Sequence, residues 1–153
     1  MTVIGIGNIA MGDDGIGVEI AEILSRTPPR EGWPENLEII NAAEDPVLAG
    51  ACVAEGKDVL LVDAVDMKRE PGAWRIFSAG DLPQGLLTAG CSTHSLSLAE
   101  VIELARALGC ADRLRILGVQ VADVRPGRFL SPHVREKVPE VIARIREEVE
   151  ALS

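Results

Sequence analysis

Residues 58–65 read DVLLVDAV. Apart from Asp58 at the start and Asp63 near the end, the run is apolar on both faces of an extended chain. A strand with one face in water would alternate apolar and polar positions. A strand covered by helices on both sides does not. The run therefore reads as a central strand of a mainly parallel sheet. No helix follows it. MKREPG (67–72) has turn composition, and AWRIF (73–77) reads as the next strand. A parallel return needs a crossover of about a dozen residues, so this pair is expected to be antiparallel.

Upstream, residues 2–6 form a short apolar strand. From Asp14 the period changes, and Ile16, Ile20, Ile23 and Leu24 fall on one helical face. Asp13 or Asp14 is expected to be the N-cap, with Gly15 and Gly17 letting the helix approach the sheet. RTPPREGWPEN (26–36) reads as a loop, 37–40 as a strand, and 46–54 as a short helix with Pro46 in its first turn. Downstream, 78–93 reads as a loop. Residues 94–108 read as a helix with Leu98, Ile102, Ala105 and Leu108 inward, and 114–121 as a strand. After a loop at 122–129, a last helix starts at Ser131 or Pro132 and turns Val134, Val138, Val141, Ile142 and Ile145 to the core. The order β-α-β-α-β-β-α-β-α describes one α/β domain over 1–153. It is a three-layer α/β/α sandwich whose five-stranded sheet is mostly parallel, with one antiparallel strand. Ligands of such sheets bind beyond the carboxyl ends of the strands.

Composition narrows the function. Of 153 residues 47% are hydrophobic, yet the chain has two Phe, two Trp and no Tyr, so its core must be aliphatic. A net charge of −9 argues against nucleic acid or an anionic membrane as partner. Cys52, Cys91 and Cys110 are odd in number and widely spaced. They suit a reducing compartment, and a cytoplasmic location is expected. No signal peptide and no transmembrane run are expected from the pattern.

The glycine-rich stretch IGIGNIAMGDDGIG (4–17) fits the loose dinucleotide pattern G-x-G-x-x-A. A pyrophosphate would then lie at the helix start, where Asp13 and Asp14 stand. Both are ionised at ordinary pKa and would repel it. The second strand leads into Asn41, not the acid that would bind a ribose. A nucleotide-binding module is thus the weaker reading. Asp63 adds a carboxylate inside an apolar strand, which is costly unless it is paired, hydrogen-bonded or metal-bound. His94, in CSTHSLSL (91–98), opens a helix after the loop that follows the fourth strand. If the strands are neighbours, Asp14, Asp63 and His94 meet in one crevice. Two carboxylates and an imidazole with open positions suit nickel, zinc or manganese. Cys91, three residues from His94, could be a nucleophile or a small buried hydrophobe. His133 reads as a surface residue, and Arg125 and Arg128 as candidate contacts for an acidic partner.

Together, GIGNIAMGDDGIG (5–17), LLVDAVD (60–66) and THSLSL (93–98) resemble the signature of the nickel–iron hydrogenase maturation proteases, in the branch with Asp-Asp in the first motif. PGAWRIF (71–77) and LRILGVQVADV (114–124) resemble the family in position and character. The resemblance implies an endopeptidase that removes the C-terminal extension of the hydrogenase large-subunit precursor once nickel is in place. It implies Asp14, Asp63 and His94 as nickel ligands, with Asp14 and Asp63 serving catalysis. It places Gly7, Asn8, Asn41, Ala42 and Ala43 in the substrate cleft. Nickel would arrive with the substrate, a resident zinc being the alternative. The family's second strand commonly ends in Asp-Gly-Gly, whereas Asn41-Ala42-Ala43 stands here and restricts the backbone. That departure keeps open a non-catalytic checkpoint protein that binds the precursor without cutting it.

Overall fold

The computed structural model describes residues 1–26, 33–43, 45, 47–81 and 98–152. Strands β1 (Thr2–Ile6), β2 (Glu38–Ala43), β3 (Val59–Val65), β4 (Trp74–Ser78) and β5 (Leu114–Gln120) form one sheet in the order β2-β1-β3-β5-β4. Every pairing is parallel except that of β4 with β5. Helices α1 (Ile16–Arg26), α2 (Val47–Ala54), α3 (Leu98–Ala107) and α4 (Pro132–Ala151) cover it. The expected sandwich and the single antiparallel strand are both present.

The two-residue period of the strands divides the core into two layers. Ile4, Ile6, Val59 and Leu61 face one side, against Ala49, Cys52 and Val53 of α2 and Val101, Ile102 and Ala105 of α3. Val3, Leu60, Val62 and Ala64 face the other, against Ile16, Ile20 and Leu24 of α1 and Val134, Val141 and Ile145 of α4. Leu60 and Leu61 lose all contact with solvent. Each such side chain stabilises the fold by about 1.5–3 kcal/mol.

Several local expectations change. Asp13 and Asp14 do not cap α1; they lie inside a 3-10 turn, Gly12–Gly15, whose N-cap is Met11. Leu108 is 54% exposed, because α3 ends at Ala107, and Val101 supplies the buried contact instead. The strand read at 37–40 extends to Ala43. Residues 94–97 and Pro46 lie outside the described residues. Ser131 precedes α4 as expected, but its hydroxyl does not cap that helix.

The strand order positions the site. From β1 the chain crosses to β2 on one side, and from β3 it runs the other way, past β5 to β4, so the connections leaving the carboxyl ends of these two neighbouring strands diverge. This is the switch point where open α/β sheets bind ligands. Gly17 seats α1 there. A Cβ at Gly17 would lie 2.2 Å from the Val62 carbonyl oxygen and 2.3 Å from that of Ile6. Only glycine allows this approach, and it brings the turn before α1 over the ends of both strands.

Candidate functional site

Gly7 leaves β1 at φ 135°, a conformation that favours glycine. A Cβ there would lie 1.9 Å from the Asp14 carbonyl oxygen. The chain therefore folds back on itself, and the Asn8 N–H donates to Asp14 Oδ2 at 3.0 Å. The Asn8 side chain in turn accepts the Ala10 N–H at 2.8 Å. Asp14 is thus aimed by its own loop.

Asp63 stands one residue beyond Val62, which pairs with Gly5 of β1. It shares the α2 and α3 side of the sheet with Leu61 by alternation. Burial pushes its carboxyl up to about 7. The Ala64 N–H, donating to Oδ1 at 2.8 Å, pulls the other way, and the charge of Asp14 adds to the rise. Asp14 and Asp63 therefore lie within each other's field, and the place disfavours a charge on Asp63. A divalent cation relieves that conflict, and carboxylate oxygens are donors that suit it. The donor set fits a metal. Among the described residues no third His, Cys, Asp or Glu completes a cluster with them. His94 and Cys91 lie outside the described residues.

The two adjacent aspartates have different work. Asp13 is completely buried. Its Oδ2 accepts from the N–H groups of Ala122 (2.7 Å) and Asp123 (2.9 Å) and from the Ser131 hydroxyl (2.9 Å). Its Oδ1 accepts the Ser131 N–H at 2.6 Å. A carboxylate just ahead of α4 also suits the positive end of that helix. The backbone of the turn is equally occupied: the N–H groups of Gly12, Asp13 and Asp14 donate to the carbonyls of Arg128, Asp123 and Met11. These three N–H groups are therefore not available to cradle a phosphate, which counts against the nucleotide reading.

The expected cleft residues divide. Gly7 and Ala43 are joined, the Gly7 N–H donating to the Ala43 carbonyl at 2.7 Å. Asn41 and Ala43 are exposed, while Ala42 turns into the core. The register shifts between Gly5 and Ile6, which face Asn41 and Ala43, so Ala42 is the extra residue of β2 at this point. Gln120, not singled out in the sequence, organises the turn after β3. Its Oε1 accepts the N–H groups of Met67 (2.6 Å) and Arg69 (3.2 Å), and its Nε2 donates to Asp66 (3.2 Å). Hydrogen bonds from the Lys68 side chain and backbone, and from Gln120, hold the Asp66 carboxyl down to about 2. Arg125 binds Asp123 of its own loop, and His133 is exposed.

Comparison with known proteins gives a consistent set of relatives. A family model described as hydrogenase maturation protease, HycI, matches residues 18–148. The hydrogenase 2 maturation protease of Escherichia coli K12 is 31% identical over 157 residues, covering 98% of this chain and 93% of that protein. The hydrogenase expression/formation protein HupD of Bradyrhizobium diazoefficiens is 30% identical, over 89% of this chain and 70% of that one. The crystal structure of a hydrogenase maturation protease HycI from Thermococcus kodakarensis superposes with a TM-score of 0.74 at 26% identity, covering 97% and 91% of the two chains.

Proposed function

The chain belongs to the hydrogenase maturation protease family, and from that membership we propose that it recognises nickel already seated in its substrate. Its activity is that of a hydrogenase maturation endopeptidase. The substrate is a hydrogenase large-subunit precursor, from which it removes the C-terminal extension. Asp14, Asp63 and His94 are the groups that receive the metal, which arrives as part of the substrate and is not a resident cofactor.

One observation carries this reading. Two carboxylates, each held by a backbone N–H, stand within each other's field at the β1/β3 switch point, and burial disfavours the charge of Asp63. A site built for an empty state would not hold them together. A site that waits for a cation would. Docked nickel supplies a fixed anchor and a Lewis acid beside one peptide bond. The chain's own part is hydrolysis by positioned carboxylates. One of the pair takes the proton of the water that attacks the scissile carbonyl, and the proton passes to the leaving amine as the C–N bond breaks. Gly7, Asn8, Asn41 and Ala43 form the wall of the cleft beside that bond. A cytoplasmic setting belongs to the same proposal, supported by the free thiols of Cys52 and Cys110.

The test is cleavage of nickel-loaded precursor by Asp14→Asn, Asp63→Asn and His94→Ala. Each is expected to lose activity by about 100-fold or more, with the fold intact by circular dichroism. Cleavage within tenfold of wild type by all three would overturn the ligand assignment.

A further inference from the structure

The two most exposed large hydrophobic side chains among the described residues are Phe129, 83% exposed, and Ile9, 63% exposed. They do not lie apart. Both line one groove of about 370 Å³ that runs along the outer face of α1. Buried Leu130 and partly buried Ile23 close its base, and Glu19 and Glu22 stand along it. Gly12 and Gly15 form its near end. The groove therefore begins on the turn that carries Asp14.

Phe129 is not exposed because its loop is loose. The segment is clamped from both sides of the ring. Asp13 takes the N–H groups of Ala122, Asp123 and Ser131, together with the Ser131 hydroxyl. The Arg128 carbonyl accepts the Gly12 N–H at 3.2 Å, and the Gly127 N–H donates to Ala10 at 2.8 Å. An aromatic ring held into water on a fixed loop costs free energy that only a partner recovers.

The charges name the partner's chemistry. Arg26 pairs with Glu22 at 3.0 Å. Glu19, partly buried in the groove, has no ion-pair or hydrogen-bond partner among the described residues. The whole chain carries −9. Arg26 lines the groove too but is taken by Glu22, so a second positive charge, opposite Glu19, is what the groove lacks.

We propose that this groove docks an extended segment of the hydrogenase precursor, with one apolar side chain between Ile9 and Phe129 and a Lys or Arg against Glu19. The proposal rests on the substrate reading above and adds to it a second contact, outside the carboxylate pair. The groove supplies binding that is equal in ground and transition states, so its loss raises KM and leaves kcat in place.

The test is steady-state cleavage of nickel-loaded precursor by Phe129→Ser, Ile9→Ser and Glu19→Lys, with Leu108→Ser, just past α3, as the exposed control. The three groove variants are expected to raise KM by about tenfold or more with kcat within about twofold, and the control to match wild type. Unchanged KM in Phe129→Ser and Ile9→Ser would overturn the proposal, as would a fall in kcat alone. Affinity of the same variants for immobilised precursor separates this from the cleavage reading. Binding about tenfold weaker supports the groove even if wild type cuts nothing, and unchanged binding overturns it even if wild type cuts well.

Discussion

At the level of single residues, two positions carry strain that the chain tolerates for its site. Asp63 is the first. Its carboxyl titrates near 7 in the fold and near 4 when unfolded. Between those values the folded state holds its proton more tightly. Stability therefore falls as pH rises from 4 to 7, and the whole penalty is present above 7. Asp63→Asn removes that slope. With a chelator present, the variant should gain on the order of 1–3 kcal/mol over wild type at pH 8 and almost nothing near pH 4. Thermal melts across that range check it, and a gain that does not change with pH would contradict it. Ala43 is the second. It sits at φ 48°, where an L residue with a Cβ is strained. The Asn41 side chain holds it there by accepting its N–H at 3.0 Å. Ala43→Gly should raise stability by about 0.5–1 kcal/mol, or a few degrees in Tm. A lower Tm would mean that the conformation costs nothing. The substitution of alanine for glycine was legible in the sequence. That Ala43 takes a positive φ was not, because the residue lies where β2 slips its register on β1 by one residue, Ala42, and that slip shows only in the pairing.

At the level of elements, the loop at 122–131 is attached to the Gly12–Gly15 turn through one carboxylate. All four partners of Asp13 are donors, so the site needs a group that only accepts. Asparagine has the same shape but brings an N–H2 of its own, which must face an N–H. Asp13→Asn should cost about 2–4 kcal/mol by urea unfolding, and a cost under about 0.5 kcal/mol would show the clamp to be idle. This role could not be read from the sequence. The bonds join positions 109 to 118 residues apart, and local pattern sees only a helix start, where an aspartate is ordinary. The same distance hid Gln120, which reaches back 53 residues to fix the turn after β3. Elements with a strong local period were legible. The doubly apolar β3, the short turn into β4 and the helical face of α1 each stand as expected. Boundaries failed where tertiary contact sets them, as at Leu108 and at the carboxyl end of β2.

At the level of the whole molecule, a five-stranded sheet, two aliphatic layers and close helix packing through Gly17 serve to bring the ends of β1 and β3 together. The sequence named Asp14 and Asp63 and placed each at a strand end. The strand order sets these two within each other's field, while His94, the third member of the expected crevice, lies outside the described residues. Burial and the charge of Asp14 together raise the Asp63 carboxyl, and a cation there is what the proposed function adds. The groove of Ile9 and Phe129 opens from the same turn, so the proposed metal contact and the proposed chain contact would share one rigid mount. Under the proposed function, cleavage would report on nickel loading. The most direct measurement compares one precursor with and without nickel, at equal concentrations, as substrate for the wild-type enzyme. Shortening of the nickel-loaded form alone, at least about 100-fold faster than the nickel-free form, is the predicted result. Equal cleavage of both forms would contradict recognition of substrate-borne nickel.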